Sequence, residues 1–249
     1  MLVLLPPSET KHDGGDGPPL DFAALSHAGL TPVRRATVRR LKQLSRDRED
    51  ALKRLKLGPK LASEVERNRA LTVSPTLPAM DRYTGVLYEA LDARSLDAGA
   101  RSFAAQHVRI HSALFGLVGA GDPVPAYRLS HDSRLEGDSL KATWSAPVSK
   151  ALLAHRDELV LDLRSEAYVH LGPVPAAVTR SHFLRVVSEG PDGVTRALNH
   201  FNKKGKGELV RALVQHGTDF AEVDELIAWG SATGHRLSLA PSGELVLEV

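Results

Sequence analysis

Leu2-Val-Leu-Leu5-Pro6-Pro7-Ser8-Glu9-Thr10-Lys11 decides how the rest of the chain is read. Four consecutive aliphatic residues predict a short buried strand, and the two prolines end it. Ser8, Thr10 and Lys11 then stand at the carboxyl end of that strand. There they suit an anion, and a partly buried lysine suits nucleophilic chemistry. The same three polar residues suit a hydroxyl-capped turn carrying a surface lysine.

Outward from this strand, further strands are expected at Val108 to Ile110, Leu159 to Leu163 and Phe183 to Val187, with a hairpin of residues 236–239 and 244–249 around Pro241-Ser-Gly243. Helices are expected between them. Thr31-Pro32 reads as a cap and first turn, opening a helical stretch to about Leu55, with a second helix from about Lys60 to Leu71. Further helices are expected near 79–91, 95–106, Trp144 to His155, 206–216 and 219–228. Gly116, Gly119, Gly121 and Pro123 predict a loop. Strands and helices interleave irregularly, so the fold class is mixed α/β (α+β) in a single domain spanning 1–249, without the rhythm of a doubly wound sheet.

The chain has 249 residues, 42% of them hydrophobic, enough for a substantial core. It has no cysteine, which excludes disulfides, thiolate-ligated metals and thiol peroxidase chemistry. Met1 to Leu5 is too short and too uncharged at its start for a signal peptide, and no apolar run approaches the length of a membrane helix. A cytoplasmic protein without membrane partners is expected.

The formal net charge is only +2, so any polyanion affinity must come from clustering. Residues 34–69 supply it: thirteen basic residues stand against five acidic ones, an excess of about +8. Inside this stretch lies Leu52-Lys53-Arg54-Leu55-Lys56-Leu57-Gly58-Pro59-Lys60-Leu61-Ala62, which resembles a helix–hairpin–helix. That motif holds a DNA phosphate on backbone N–H groups and a nearby lysine without reading bases. Residues 31–71 are thus expected as a basic, helix–hairpin–helix-like insertion, with Lys53, Arg54, Lys56, Gly58 and Lys60 on DNA. Lys56 occupies the first glycine position, and a lysine disfavours positive φ. A plain helical hairpin with a solvated basic face fits the same residues.

Other constellations carry paired readings. Tyr83-Thr84-Gly85 begins a helical run in which Gly85 marks either a helix start or close approach of a ligand or backbone. His107 and His111 have helical metal-ligand spacing on what reads as a strand, with no acidic third ligand nearby, so no metal is expected. Tyr127-Arg128, after a Gly/Pro-rich run, can present an arginine to phosphate and an aromatic ring to a base, or Arg128 can pair with a buried acid such as Asp122. Asp162, Ser165, Glu166 and Tyr168 follow a strand, where cleft residues gather. Lys203-Lys204-Gly205-Lys206-Gly207 reads as a basic, glycine-rich lead into a helix N-terminus, with Arg211 beyond it. It lacks the Walker pattern, and no cofactor is expected.

Taken in order, these blocks resemble the YaaA family. They are the Leu-Pro-Pro-Ser-Glu-Thr-Lys start, Tyr83-Thr-Gly-Val-Leu-Tyr-Glu-Ala-Leu91, Ser112-Ala-Leu-Phe-Gly116, Asp122-Pro-x-Pro-x-Tyr-Arg-Leu129, Trp144, Ser165-Glu-x-Tyr168 and Lys204-Gly-Lys-Gly207. The resemblance implies a cytoplasmic protein linked to hydrogen peroxide protection, with less free iron and less oxidative DNA damage. It also implies a compact α/β body of unusual topology with a helix–hairpin–helix and a positively charged cleft. DNA is the implied partner. The cleft would be lined by Ser8, Lys11, Tyr83, Thr84, Gly85, Tyr127, Arg128, Ser165, Tyr168, Lys204, Lys206 and Arg211. Two departures stand out: Glu9 where some relatives have lysine, and Gly119-Ala-Gly121 where others often have an Arg-Pro pair.

Two functions of different class follow. One is sequence-independent DNA binding. The other is chemistry on a nucleobase, nucleotide or DNA lesion, with Lys11 as nucleophile, Asp162 or Glu166 as acid/base, and a nucleotide-like small molecule as partner. Direct iron binding finds no ligand spacing to support it.

Overall fold

β1 (Leu2–Leu5) is buried at every residue because it runs between two parallel neighbours, β4 (Val108–Ser112) and β7 (Val160–Asp162). A strand paired on both edges and covered on both faces has no wet side, so its sequence stays apolar instead of alternating. The computed structural model describes residues 1–189, 195–196 and 199–249, with the side chains of 189–201 excepted. β7 pairs in parallel with β8 (Ser181–Glu189), and β8 with β11 (Leu245–Glu248). Five parallel strands, in the order β11-β8-β7-β1-β4, therefore form the middle of the sheet. Antiparallel strands close it: β10 (Arg236–Leu239) on β11, β5 (Gly116–Gly119) on β4, and β9 (Thr195–Arg196) at the far end of β8. The parallel core is more regular than the sequence rhythm predicts.

The glycine-rich run at 116–123, expected as a loop, is β5 over its first half. Gly116 turns the chain with φ +66°, and a Cβ there would sit 2.7 Å from the Trp144 ring. Trp144 is fully buried on α7 (Leu140–Leu152), which begins before the tryptophan, and its indole donates to Ala113 O. A second sheet was not legible at all. β2 (Gly17–Pro19), β3 (Pro75–Pro78) and β6 (Pro123–Pro125) each carry prolines and pair antiparallel. Buried Arg82 ties this sheet to the body through the carbonyls of His12, Gly14, Pro75 and Val124.

The helix expected from Thr31 to about Leu55 is two helices, α1 (Thr31–Leu44) and α2 (Arg48–Arg54). Ser45 turns its hydroxyl back to Leu41 O, and Asp47 caps α2 by accepting from the amides of Glu49 and Asp50. Thr31 is itself helical, so the cap position falls on Leu30. The helix expected at 60–71 is a 3₁₀ turn, Pro59–Leu61, followed by α3 (Ser63–Arg69). Between them Lys56 adopts φ +55°, while Gly58 is extended with φ −70°. Lys56 N bonds Lys53 O and Leu57 N bonds Leu52 O, which is a Schellman ending with lysine in the glycine position.

The helix expected at 79–91 also breaks. α4 (Ala79–Arg82) stops so that Tyr83 can bridge to Lys11, and α5 (Val86–Leu91) starts after Gly85. α6 (Ala98–His107) precedes β4, and α8 (Glu166–Leu171) crosses from β7 to β8. α9 (Asn199–His216) begins well before residue 206, and α10 (Val223–Ala232) leads into the final hairpin. Lys204 to Gly207 therefore lie inside a helix and not ahead of one. Their glycines serve packing. A Cβ on Gly207 would be 2.2 Å from Leu87 O on α5, and one on Gly205 would be 2.9 Å from a Val249 methyl.

Candidate functional site

The loops that leave β1 and β7 enclose, with part of β8 and the first half of α9, a cavity of about 780 Å³. Its position is the one where open parallel sheets gather ligands, outside the carboxyl ends of the strands. From β1 come Pro6 to Thr10, from β7 Leu163 to Ala167, from the α5 start Thr84 to Tyr88, from β8 Phe183 to Arg185, and from α9 Asn202, Lys203 and Lys206. Gly85 has φ +92°, and a Cβ there would meet Ser8 Oγ at 3.2 Å. It is both the helix-start residue and a point of close backbone approach. Thr84 donates to Thr10 Oγ1 at 2.7 Å, which keeps the hydroxyl-bearing segments together.

Lys11 lies beneath this wall and not in it. Its Nζ donates to the carbonyls of Ser8, at 2.9 Å, and Glu9, and sits 4.1 Å from the centre of the Tyr127 ring. Burial brings its ammonium down to about 7, with the Glu9 carboxylate acting the other way. Tyr127 accepts and donates in a buried chain, 2.7 Å from the Tyr83 hydroxyl and 2.6 Å from Ser112 Oγ, and Ser112 in turn accepts from the amides of Leu114 and Phe115. Burial pushes the Tyr83 phenol up to about 12 and raises Tyr127, Tyr88 and Tyr168 well above their ordinary value. These hydroxyls stay neutral hydrogen-bonding groups.

Asp162 and Arg164 form a buried bidentate pair, with Nε to Oδ1 at 2.8 Å and Nη2 to Oδ2 at 2.6 Å. Arg164 Nη1 donates to Gly172 O and to His111 Nδ1. His111 is neutral, since burial and the adjacent guanidinium lower it well below the usual imidazole value, so its proton sits on Nε2. Both carboxylate oxygens of Asp162 are thus committed to Arg164. Glu166, by contrast, is largely exposed at the cavity and lies 3.8 Å from Arg185, whose main partner is Glu244 at 2.7 Å.

Lys206 is the cavity's buried amine. It is 5% exposed and approaches the Phe183 ring, and among the described residues its Nζ has no hydrogen-bond or ion-pair partner. Burial lowers it to about 8, opposed by Asp162.

The basic stretch is less free than its sequence suggests. Arg34 is fully buried and holds the carbonyls of Phe115 and Leu117. Arg40 caps carbonyls of Glu136 and Asp138, and Arg67 and Arg69 pair with Asp13, Glu64 and Glu66. Of the expected DNA residues, Arg54 pairs with Asp50 and Lys56 with Asp132 at 2.6 Å. Lys53 and Lys60 are exposed, as is Gly58, and among the described residues neither lysine has a partner. This hairpin docks on residues 128–134: Arg134 N donates to Arg54 O, and Asn68 exchanges two bonds with the Arg128 backbone. The same segment reaches the cavity, which His131 lines.

A family model described as peroxide stress protein YaaA matches residues 1–238. The chain belongs to that family. It is similar to a UPF0246 protein of Corynebacterium glutamicum, 44% identical over 239 residues that cover 94% of this chain and 93% of the relative. A UPF0246 protein of Corynebacterium efficiens is 48% identical over 218 residues, covering 86% and 84%. One of Streptomyces coelicolor is 43% identical over 222 residues, covering 88% and 84%.

Against the cleft implied by the family resemblance, the structure brings Ser8, Thr84, Gly85, Ser165, Tyr168 and Lys206 together at one cavity, with the acid/base candidate Glu166 beside them. Lys11, Tyr83 and Tyr127 form its buried backing. Arg128 pairs with Glu9 at 3.0 Å and not with Asp122, which instead holds Ser26 and the Gly119 amide. Lys204 faces Glu208, and Arg211 clamps the carbonyls of Leu91 and Asp92, so neither belongs to the cavity. His107 is held by Met1 O, and among the described residues no group of three acidic or histidine side chains is placed to hold a metal. His131, Phe183 and Arg185 were missed. Phe183 and Arg185 had a signal, since alternate strand residues share a face; His131 had none. No helix among the described residues is long and apolar enough to cross a membrane.

Proposed function

We propose that this member of the peroxide stress family acts in the cytoplasm by binding DNA without sequence preference, across the exposed lysines of the α2–α3 hairpin, and seats one nucleotide in the neighbouring cavity. One observation carries the reading: residues 128–134 join the two surfaces, with Asp132 held by Lys56 of the hairpin and His131 lining the cavity. A backbone lying on Lys53 and Lys60 would pass that rim. Phosphate contacts position a strand without specifying it, and an extruded base needs a pocket with apolar and aromatic walls beside hydrogen-bonding groups. Leu163, Tyr88, Tyr168 and Phe183 supply the walls, and Ser8, Thr10, Thr84 and Ser165 the hydroxyls. Protection of DNA during peroxide exposure is the role that fits the family.

The test is binding of fluorescent duplex, bubble and abasic DNA across a salt series by wild type and a Lys53→Glu/Lys60→Glu variant. Wild type should lose affinity with salt, and removing two phosphate contacts should make the log–log slope shallower by about 2. Absence of binding by folded wild type, or an unchanged slope in the variant, overturns the proposal. A second reading, chemistry on a nucleobase, nucleotide or lesion, is favoured by the buried amine of Lys206.

A further inference from the structure

We propose that Lys206 is the reactive amine of the cavity and forms a Schiff base with the aldehyde of a ring-opened sugar. In the form of an abasic nucleotide as ligand, the inference rests on the DNA reading above. As a reaction with a free deoxy sugar it stands without it.

Three features of the site lead there. First, Lys206 is the lysine whose amine is both buried and turned to the cavity; Lys11, the candidate from sequence, is spent on the carbonyls of Ser8 and Glu9 and lies under the wall. An amine held against the Phe183 ring, with no polar partner among the described residues, is a group built to meet something that enters. Second, the rest of the cavity does not suit a simple anion site. The guanidinium of Arg164 is taken by Asp162 and that of Arg185 by Glu244 and Glu166, which leaves Lys203 as an exposed cation at the rim. The remaining polar lining is mostly hydroxyl, from Ser8, Thr10, Thr84 and Ser165, which matches a polyhydroxylated ligand. Third, the charged groups that act on Lys206 are Asp162, Arg185 and Glu166, and burial outweighs the two carboxylates, bringing the amine to about 8. Near neutral pH a fraction of it is the free base, as a nucleophilic lysine requires.

The step balances without any oxidant or reductant. The neutral amine adds to the aldehyde carbon, and its proton passes to the former carbonyl oxygen, giving a carbinolamine. One proton from solvent then joins that hydroxyl, the C–O bond breaks, water leaves, and a protonated imine remains. Glu166, which lines the same cavity, relays both protons: it carries the amine proton to the oxygen and passes the solvent proton to the departing hydroxyl. Hydrolysis reverses the sequence and restores the lysine.

The experiment treats the full-length protein at pH 7.5 with borohydride and either an abasic-site duplex or free 2-deoxyribose, followed by intact mass and peptide mapping. Borohydride supplies the hydride that fixes the imine. Adduct is expected on the Lys206 peptide at least about tenfold above any surface lysine, since a surface lysine near 10.4 is far less often neutral. It should be lost in Lys206→Arg, which keeps the charge. Modification by the abasic duplex alone points to a DNA lesion as the source, and modification by the free sugar to a small-molecule ligand; both uphold the imine. Adduct spread evenly over exposed lysines such as Lys150, adduct persisting in Lys206→Arg, or no adduct from either probe overturns it. The wild-type peptide map decides the matter even if the variant does not fold. Trapping repeated in Lys53→Glu/Lys60→Glu separates the two proposals, because free-sugar adduct there should survive a failure of the DNA reading.

Discussion

Asp162→Ala should destabilise the protein more than any surface change near the cavity. The carboxylate is 4% exposed and Arg164 is 0% exposed, so the pair is shielded from solvent. Removing the carboxylate deletes two side-chain bonds, Nε to Oδ1 and Nη2 to Oδ2, and also the acceptor for the Arg164 amide at 3.1 Å. Charge-assisted bonds contribute about 1.5–3 kcal/mol each, so the two side-chain bonds alone suggest about 3–6 kcal/mol. The independent figure for stranding one partner of a buried ion pair is about 3–5 kcal/mol. The two agree, and about 4 kcal/mol is the working expectation. For a chain of this size each kcal/mol moves the melting temperature by about 2–4 °C, so a fall of roughly 8–16 °C is expected by circular dichroism. The double variant Asp162→Leu/Arg164→Met removes both charges and should recover much of the loss. A single-variant shift under about 3 °C, or a double variant no better than the single, would refute the view that a stranded buried guanidinium sets the penalty.

Two further outcomes can be checked alongside. In Gly207→Ala the new methyl carbon would lie 2.2 Å from Leu87 O and 2.8 Å from the Ala90 side chain, so α5 and α9 must separate. Loss of about 2 kcal/mol or more in urea denaturation is expected, in the range of overpacking, despite alanine's better helix propensity; a neutral or stabilising result would mean the crossing is looser than described. Lys11 should give the protein a pH dependence of definite sign. Its folded value is about 7 against 10.5 when unperturbed, so between those values the unfolded chain binds a proton that the folded chain has released. Stability must then rise with pH across about 7 to 10, by up to about 1.4 kcal/mol per unit. Denaturation from pH 6 to 10 should show wild type gaining on Lys11→Met over that window, and parallel curves would refute the shift.

Much of the sheet was readable because its central strands are buried on both faces. Leu2–Leu5 and Leu159–Leu163 announce themselves as runs of aliphatic residues, and the final hairpin by its Pro-Ser-Gly turn. The proline-bearing strands β2, β3 and β6 were invisible, since what holds them is distant in sequence: buried Arg82 bonds Pro75 O and Val124 O, and Thr76 donates to Pro18 O. The basic stretch misled in a particular way. Sequence counts formal charges, but burial removed Arg34 from the surface and ion pairs occupied Arg54 and Lys56. Glycines misled similarly: Gly205 and Gly207 read as a lead into a helix N-terminus, yet they are helical residues that let neighbouring elements approach.

Sequence by itself determined the family blocks, the mixed α/β class and the strand ends where polar residues would collect, because these depend on local composition and order. Tertiary structure alone decided which lysine faces the cavity. Lys11 and Lys206 are both buried, but the carbonyls that engage Lys11 come from its own turn, whereas Lys206 reaches the cavity from a helix nearly two hundred residues later in the chain. Solvent exclusion and partner availability are properties of packed surroundings, and no local pattern in the chain encodes them.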